Sequence, residues 1–241
     1  MSQGSNVRLN AGTVGAASKA ATVRKSREPR GLRVLRAVAS LILLIVVAAF
    51  VPPVRHAILR GLGDLLVVTD PVQPADVGVM TESGDGGEIE VSQLYHQGVI
   101  PRVLVLAPAP TAVDQEYVKL GVHREDLVLT TLRQLGVPDT AVTRVEAGEG
   151  GTTESTQVLA GWLRVHPGRV LIIVSPTHAR RYRRTLMRVW PDGVPTPRVT
   201  VPHVNLFHVE DWWRSRRTLR EGLFELQKLA WDYVSHPWPG R

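Results

Sequence analysis

The chain has 241 residues, no cysteine, 44% hydrophobic residues and a formal net charge of +7. That composition excludes a wholly disordered chain and, with 21 Gly and 17 Pro in no short repeat, a collagen-like one. The lack of cysteine excludes a disulfide scaffold, a thiolate metal site and a thiol nucleophile.

The charge is unevenly spread. Residues 1–36 hold eight basic side chains against Glu28 alone, and the remainder balances at 21 of each sign. The folded part therefore has no net basic footprint with which to track phosphates, and nucleic acid is not expected as a partner. Residues 1–36, of which the first 23 are rich in Ser, Ala, Gly and Thr, read as a disordered basic tail. Residues 37–54 follow without a charge, and Ser40 is the one polar side chain among them. Such a run is just long enough to span a bilayer core and lacks the polar face of a core helix, so one N-terminal transmembrane helix is expected. The basic residues before it, against Arg55 and Arg60 after it, place the N-terminus in the cytoplasm and the rest outside the plasma membrane, in a single pass. A cleaved signal peptide is the alternative, since Val47 and Ala49 stand at cleavage spacing, although the charged region before the run is long for one.

Residues 55–75 read as a connector, with Ile58, Leu59, Leu62, Leu65 and Leu66 at near-helical spacing and Pro71 and Pro74 closing it. Residues 76–241 then alternate short apolar runs with helical patterns. Strands are expected over 76–80, 102–107, 141–145, 169–175 and 198–204, and helices over 88–97, 125–135, 153–165, 178–189 and 210–234. Val170-Leu171-Ile172-Ile173-Val174 is apolar on both faces, which with the strict alternation predicts an α/β domain whose parallel sheet is covered on both sides.

In such sheets ligands bind outside the carboxyl ends of the strands, so the loops leaving the strands are the candidate sites. The loop after the first strand, residues 82–87, offers glycines such as Gly86 whose backbone amides can approach an anion; it has no dinucleotide fingerprint or phosphate-loop lysine, and a plain turn accounts for it equally well. After the third strand, Glu146 leaves the sheet as a candidate acid, base or metal ligand. Thr152 or Thr153 suits a helix N-cap and Glu154 a first helical turn, and all three border the same edge. After the most apolar strand comes Ser175-Pro176-Thr177-His178-Ala179-Arg180-Arg181, where helix amides, a hydroxyl, an imidazole and guanidinium groups converge on a ready anion site. Ser175, Arg180 and Arg181 are the expected anion ligands and His178 the expected proton carrier, while Arg183, Arg184 and Arg188 read mainly as solvated surface. The histidines show no compelling metal-ligand spacing, His203 with His208 included, so no metal site is expected and no cofactor is identified.

These segments, in order, resemble a known family. Asp70-Pro71, Ala75-Asp76, Leu94-Tyr95, Gly98, Pro101-Arg102, Leu135-Gly136-Val137-Pro138, Glu146, Thr152-Thr153-Glu154, the Val174–Arg181 segment, and Trp212, Glu221, Glu225 and Lys228-Leu229 together resemble the YdcF/SanA/ElyC-like family over about residues 64–234. The resemblance implies a Rossmann-like three-layer domain, often tethered at the membrane, with members linked to envelope integrity and cell-wall precursor metabolism. Where relatives commonly open the first helix with an arginine, this chain has Gly87, Glu88 and Glu90. Two functions stay open: an enzyme acting on an anionic, phosphate-bearing small-molecule or lipid-linked envelope intermediate, with His178 or Glu146 moving protons, and a module that binds such a ligand without turning it over.

Overall fold

The computed structural model describes residues 30–81, 85–123, 127–148 and 151–237. The chain divides into two compact units, Met1–Val47 and Ala48–Arg241. Helix α1 (Arg30–Ala49) makes up the described part of the first unit and ends two residues into the second, and of the tail expected over residues 1–36 the first 29 lie outside the described residues. Arg30, Arg33 and Arg36, expected in that tail, belong to α1.

The uncharged run of residues 37–54 is not one continuous helix. α1 ends at Ala49, and after Phe50 and Val51 the prolines at 52 and 53 open a second helix, α2 (Pro52–Asp64). Proline has no amide hydrogen and its ring clashes with a preceding helical turn, so it starts one helix and stops the other. The uncharged part of α1 covers about 20 Å at about 1.5 Å per residue, short of a hydrocarbon core of about 30 Å. Among the described residues no helix is long and apolar enough to cross a membrane.

The second unit is an α/β domain with a five-stranded, wholly parallel sheet in the order β3-β2-β1-β4-β5. The strands are β1 (Val77–Thr81), β2 (Val103–Ala107), β3 (Val142–Glu146), β4 (Val170–Ile173) and β5 (Arg198–Thr200). Val79 at the centre of β1 pairs with Leu104 on one side and Ile172 on the other. Parallel strands need crossovers, and the helices supply them: α3 (Gly87–His96), α4 (Ala112–Lys119), α5 (Leu127–Gln134), α6 (Thr152–Val165), α7 (Ala179–Val189) and a terminal α8 (Arg216–Ser235). Alternate strand residues feed two cores. Val77, Val79, Leu104, Ile172 and Val174 meet Leu159 and Leu163 of α6 and Leu186 of α7, whereas Met80, Val103, Val105, Leu171 and Ile173 meet Val91 and Leu94 of α3 and Leu132 of α5. The result is the three-layer, Rossmann-like arrangement that the pattern and the resemblance imply.

Several boundaries move for local reasons. β5 stops at Thr200, two residues before Pro202, which has no amide to donate to a ladder. The helix expected from 178 is preceded by a 3₁₀ turn over Pro176–His178. The one expected from 210 is split into a 3₁₀ turn over Trp212–Arg214, extended Ser215, and α8. α4 escapes a periodicity search because none of its residues is buried; a capping box between Thr111 and Asp114 starts it instead.

α2 is integral to the domain. Leu59, Leu62 and Leu66 pack with Phe207, Trp212 and Leu229, and the Trp212 indole N–H donates to the Leu59 carbonyl at 2.8 Å.

Helix α7 is joined to α8 by ion pairs rather than lying solvated. Arg184 Nε donates to Asp232 Oδ2 and Arg188 Nη2 to Asp232 Oδ1, both at 2.7 Å, Arg184 also donates to the His236 carbonyl at 2.9 Å, and its guanidinium lies 3.7 Å over the Tyr233 ring. Arg183 is likewise tied, donating to Asp70 at 2.9 Å, while the other Asp70 oxygen accepts the Val199 amide. Replacing Asp232 by Ala strands two guanidinium groups, one of them buried, and should lower the unfolding free energy by about 3 kcal/mol in urea titration; Arg183→Ala, which removes a partly exposed side chain and leaves Asp70 its Val199 amide, should cost no more than about 1 kcal/mol.

Candidate functional site

The sheet order fixes where a ligand crevice can form. From β1 the chain steps to β2 and β3 on one side and later to β4 and β5 on the other, so the loops leaving β1 and β4 diverge over the middle of the sheet. Ser175, following β4, donates its hydroxyl to Asp85 Oδ2 at 2.8 Å and so bridges those loops. Asp85 Oδ1 lies 3.5 Å from Arg217 of α8, which also pairs with Glu221 at 3.1 Å. Ser175 is buried and engaged in this bond, so it holds the two loops together instead of standing open to an anion.

Gly86 serves a different end from the expected one. It sits in the left-handed region at φ 84°, and a Cβ there would overlap the Val204 carbonyl oxygen. Its lack of a side chain lets the loop after β1 touch the loop after β5. Four residues on, buried Glu90 accepts from the His203 amide at 3.0 Å and contacts the His203 ring. This pair closes the same end of the domain.

The densest polar cluster surrounds Glu225 on the inward side of α8. Its side chain is 3% exposed and receives three partners: His178 Nε2 at 3.1 Å, Arg181 Nε at 2.8 Å and Lys228 Nζ at 2.7 Å. Arg181 then extends Nη1 to the Thr152 hydroxyl at 2.7 Å. Burial raises the Glu225 carboxyl, but the hydrogen bonds from His178, Arg181 and Lys228 more than reverse this and hold it down at about 2, against an ordinary 4.5. The His178 ring is about half exposed, and its Nδ1 has no hydrogen-bond partner among the described residues. The arrangement is a carboxylate–imidazole dyad: Glu225 holds the ring through Nε2 and leaves Nδ1 to give or take a proton.

The expected site residues thus separate into groups. His178, Arg181 and Thr152 come together through Glu225, and Ser175 lies on the adjoining loop. Arg180 does not join them. Its guanidinium donates to the carbonyls of Leu65 at 2.6 Å, Asp64 at 3.3 Å and Val67 at 3.4 Å, and so caps the end of α2. Thr152 is not an N-cap: Gly151 is, and Thr152 is the first helical residue, its hydroxyl turned to Arg181. Thr153 is exposed and Glu154 folds against Gly148. Glu146 is exposed at the end of edge strand β3, with β2 and β1 between it and β4.

Asp85, Glu225 and Lys228 were not among the expected site residues, although Glu225 and Lys228 stand among those that carry the family resemblance. A signal for Glu225 exists in the sequence. Thr218, Gly222, Glu225, Leu229 and Asp232 recur at spacings of three and four, the buried stripe of α8. Two carboxylates on a buried stripe require cations, and α7, with five arginines and no acidic residue, is the nearest source.

Because the Glu225 carboxyl is held below its unfolded value, the stability it confers is complete above about pH 4.5 and is lost as pH falls through about 2. Unfolding measured across that window should show Glu225→Gln converging on the parent at the acid end and falling below it above pH 4.5. Arg180→Ala should lower stability by about 1–3 kcal/mol through the lost carbonyl bonds.

No protein-family model matches the chain and no curated protein matches it, so the family resemblance enters the functional reading as an expectation alone.

Proposed function

We propose that the α/β domain is a membrane-tethered, extracytoplasmic member of the YdcF/SanA/ElyC-like group that acts on an anionic, phosphate-bearing intermediate of the cell envelope, with His178 as its acid–base group. The observation that carries this reading is the His178–Glu225 dyad in the turn after β4, with the ring about half exposed and Nδ1 without a hydrogen-bond partner among the described residues. In it, His178 accepts a proton at Nδ1 from an attacking water or hydroxyl and returns it to the leaving group, while Glu225 stabilises the imidazolium. Arg181 and the uncapped first turn of α6 at Thr152 provide positive potential beside it. Glu146, at the far strand, is left without a part in this chemistry.

The tether is α1 with the residues after it. Leu41, Ile42, Leu43 and Leu44 are all more than half exposed and Phe50 is 81% exposed, surface that an apolar environment would cover. Arg33 and Arg36 in the first turns of α1 add positive charge that anionic headgroups would attract.

A binding module is the second reading. It is favoured by one fact: Arg180, Arg181, Arg183 and Arg217 are each already engaged with carbonyls or carboxylates, so an incoming anion must compete with them.

Replacing His178 by Ala separates the two. Its loop-edge ring contributes little to the core, so thermal unfolding should change by less than about 1 kcal/mol. In cells lacking the parent gene, His178→Ala should fail to restore envelope integrity while the purified variant keeps its affinity for a phosphate-bearing ligand found by thermal-shift screening. Full restoration by His178→Ala would overturn the enzymatic reading.

A further inference from the structure

Helix α8 carries two opposed faces, and the outward one is covered by nothing among the described residues. Leu223 is 53% exposed, Phe224 55%, Trp231 71% and Val234 74%. With about 3.6 residues per turn these side chains fall within an arc of about 120°. Arg216 and Arg220 lie on the same arc, exposed, with no partner among the described residues. All three carboxylates of the helix, Glu221, Glu225 and Asp232, lie on the opposite arc and are paired with cations. The exposed face is therefore aliphatic, aromatic and positive, and carries no negative charge.

We infer that this face of α8 lies on an anionic bilayer surface and forms a contact of the folded domain with the membrane that is separate from α1. A helix whose apolar face bears Leu, Phe and Trp and is flanked by arginine lies in the headgroup plane, the apolar side chains entering the acyl boundary and the guanidinium groups meeting lipid phosphates. Trp231 suits that boundary because its ring is apolar and its N–H is polar. An acidic partner would satisfy the two arginines but would leave four large apolar side chains requiring a matched apolar surface, whereas a bilayer supplies both layers at once. The consequence for the domain is orientation. Glu225 is on the inner side of the same helix, so docking brings the His178–Glu225 dyad to within roughly one helix diameter, about 10 Å, of the headgroups.

The absence of cysteine in the full chain permits a direct test. Gln227, exposed within the arc, is replaced by Cys in the full-length protein and labelled with a polarity-sensitive dye; Gln93→Cys on α3, at the other face of the sheet, is the control. Vesicles containing phosphatidylglycerol should blue-shift the dye at position 227 and leave that at 93 unchanged, while phosphatidylcholine vesicles and high salt should both reduce the shift. The double variant Arg216→Gln, Arg220→Gln should weaken this docking about 30-fold. If the chain sediments with the anionic vesicles but the dye at 227 stays in water, α8 does not dock and the inference fails. A shift at 227 that grows with protein concentration in the absence of vesicles would also overturn it, by assigning the face to a second copy of the chain.

Discussion

A carboxylate withdrawn from water must find cations or lose its charge, and the packing of α7 and α8 answers that requirement. Glu225, 3% exposed, is met by a histidine from the turn after β4, an arginine from α7 and a lysine from its own helix. Arg181 carries the connection on to Thr152 at the start of α6. Seven residues further along α8, Asp232 does the same for Arg184 and Arg188. The crossover helices on one face of the sheet are thus joined by ionic contacts laid over an apolar layer of Leu159, Leu163 and Leu186. The apolar layer supplies driving force without direction, and the ion pairs set how far each helix is rotated about its axis.

α7 shows how one helix distributes its charge. It has five arginines and no acid, an arrangement that is self-repelling in isolation. Each guanidinium is matched by a group from another part of the chain: the carbonyls ending α2, Glu225, Asp70 and Asp232. This places α2 and the connector within the folded body, so the α/β unit begins before residue 76. It also leaves the candidate site close to electrical balance, Asp85, Glu221 and Glu225 standing against Arg217, Arg181 and Lys228. A ligand there is recognised through exchange of partners more than through a standing excess of positive charge.

The sheet was legible in the sequence because its signal is local. Val170 to Val174 is apolar at every position, and only a strand covered on both faces calls for that. The alternation with amphipathic helices then gave the layer arrangement and the edge at which the site lies. The choice among the arginines was not legible. Arg180 and Arg181 are neighbours in the same helix turn, yet one faces the end of α2 and the other faces α8, a difference set by tertiary packing rather than by spacing. Glu225 had a trace in the three- and four-residue stripe of α8, but with Leu229 as its one large apolar residue that stripe does not stand out as a buried face. α4 left no trace, since a helix with nothing buried has no hydrophobic period. The anchor was overextended for a related reason: hydropathy counts Pro52 to Val54 with the run before them, while the backbone ends a helix at Ala49 and begins another at Pro52.

Glu225 holds the His178 ring by Nε2 and leaves Nδ1 without a partner among the described residues, and the imidazole nitrogens report this directly. In ¹⁵N NMR of the isotopically labelled protein, the neutral His178 ring should be found as the Nε2–H tautomer, with Nδ1 unprotonated, and Glu225→Gln should disturb that preference. A ring in the Nδ1–H form, or tautomers averaged as in a free side chain and unaffected by Glu225→Gln, would contradict it.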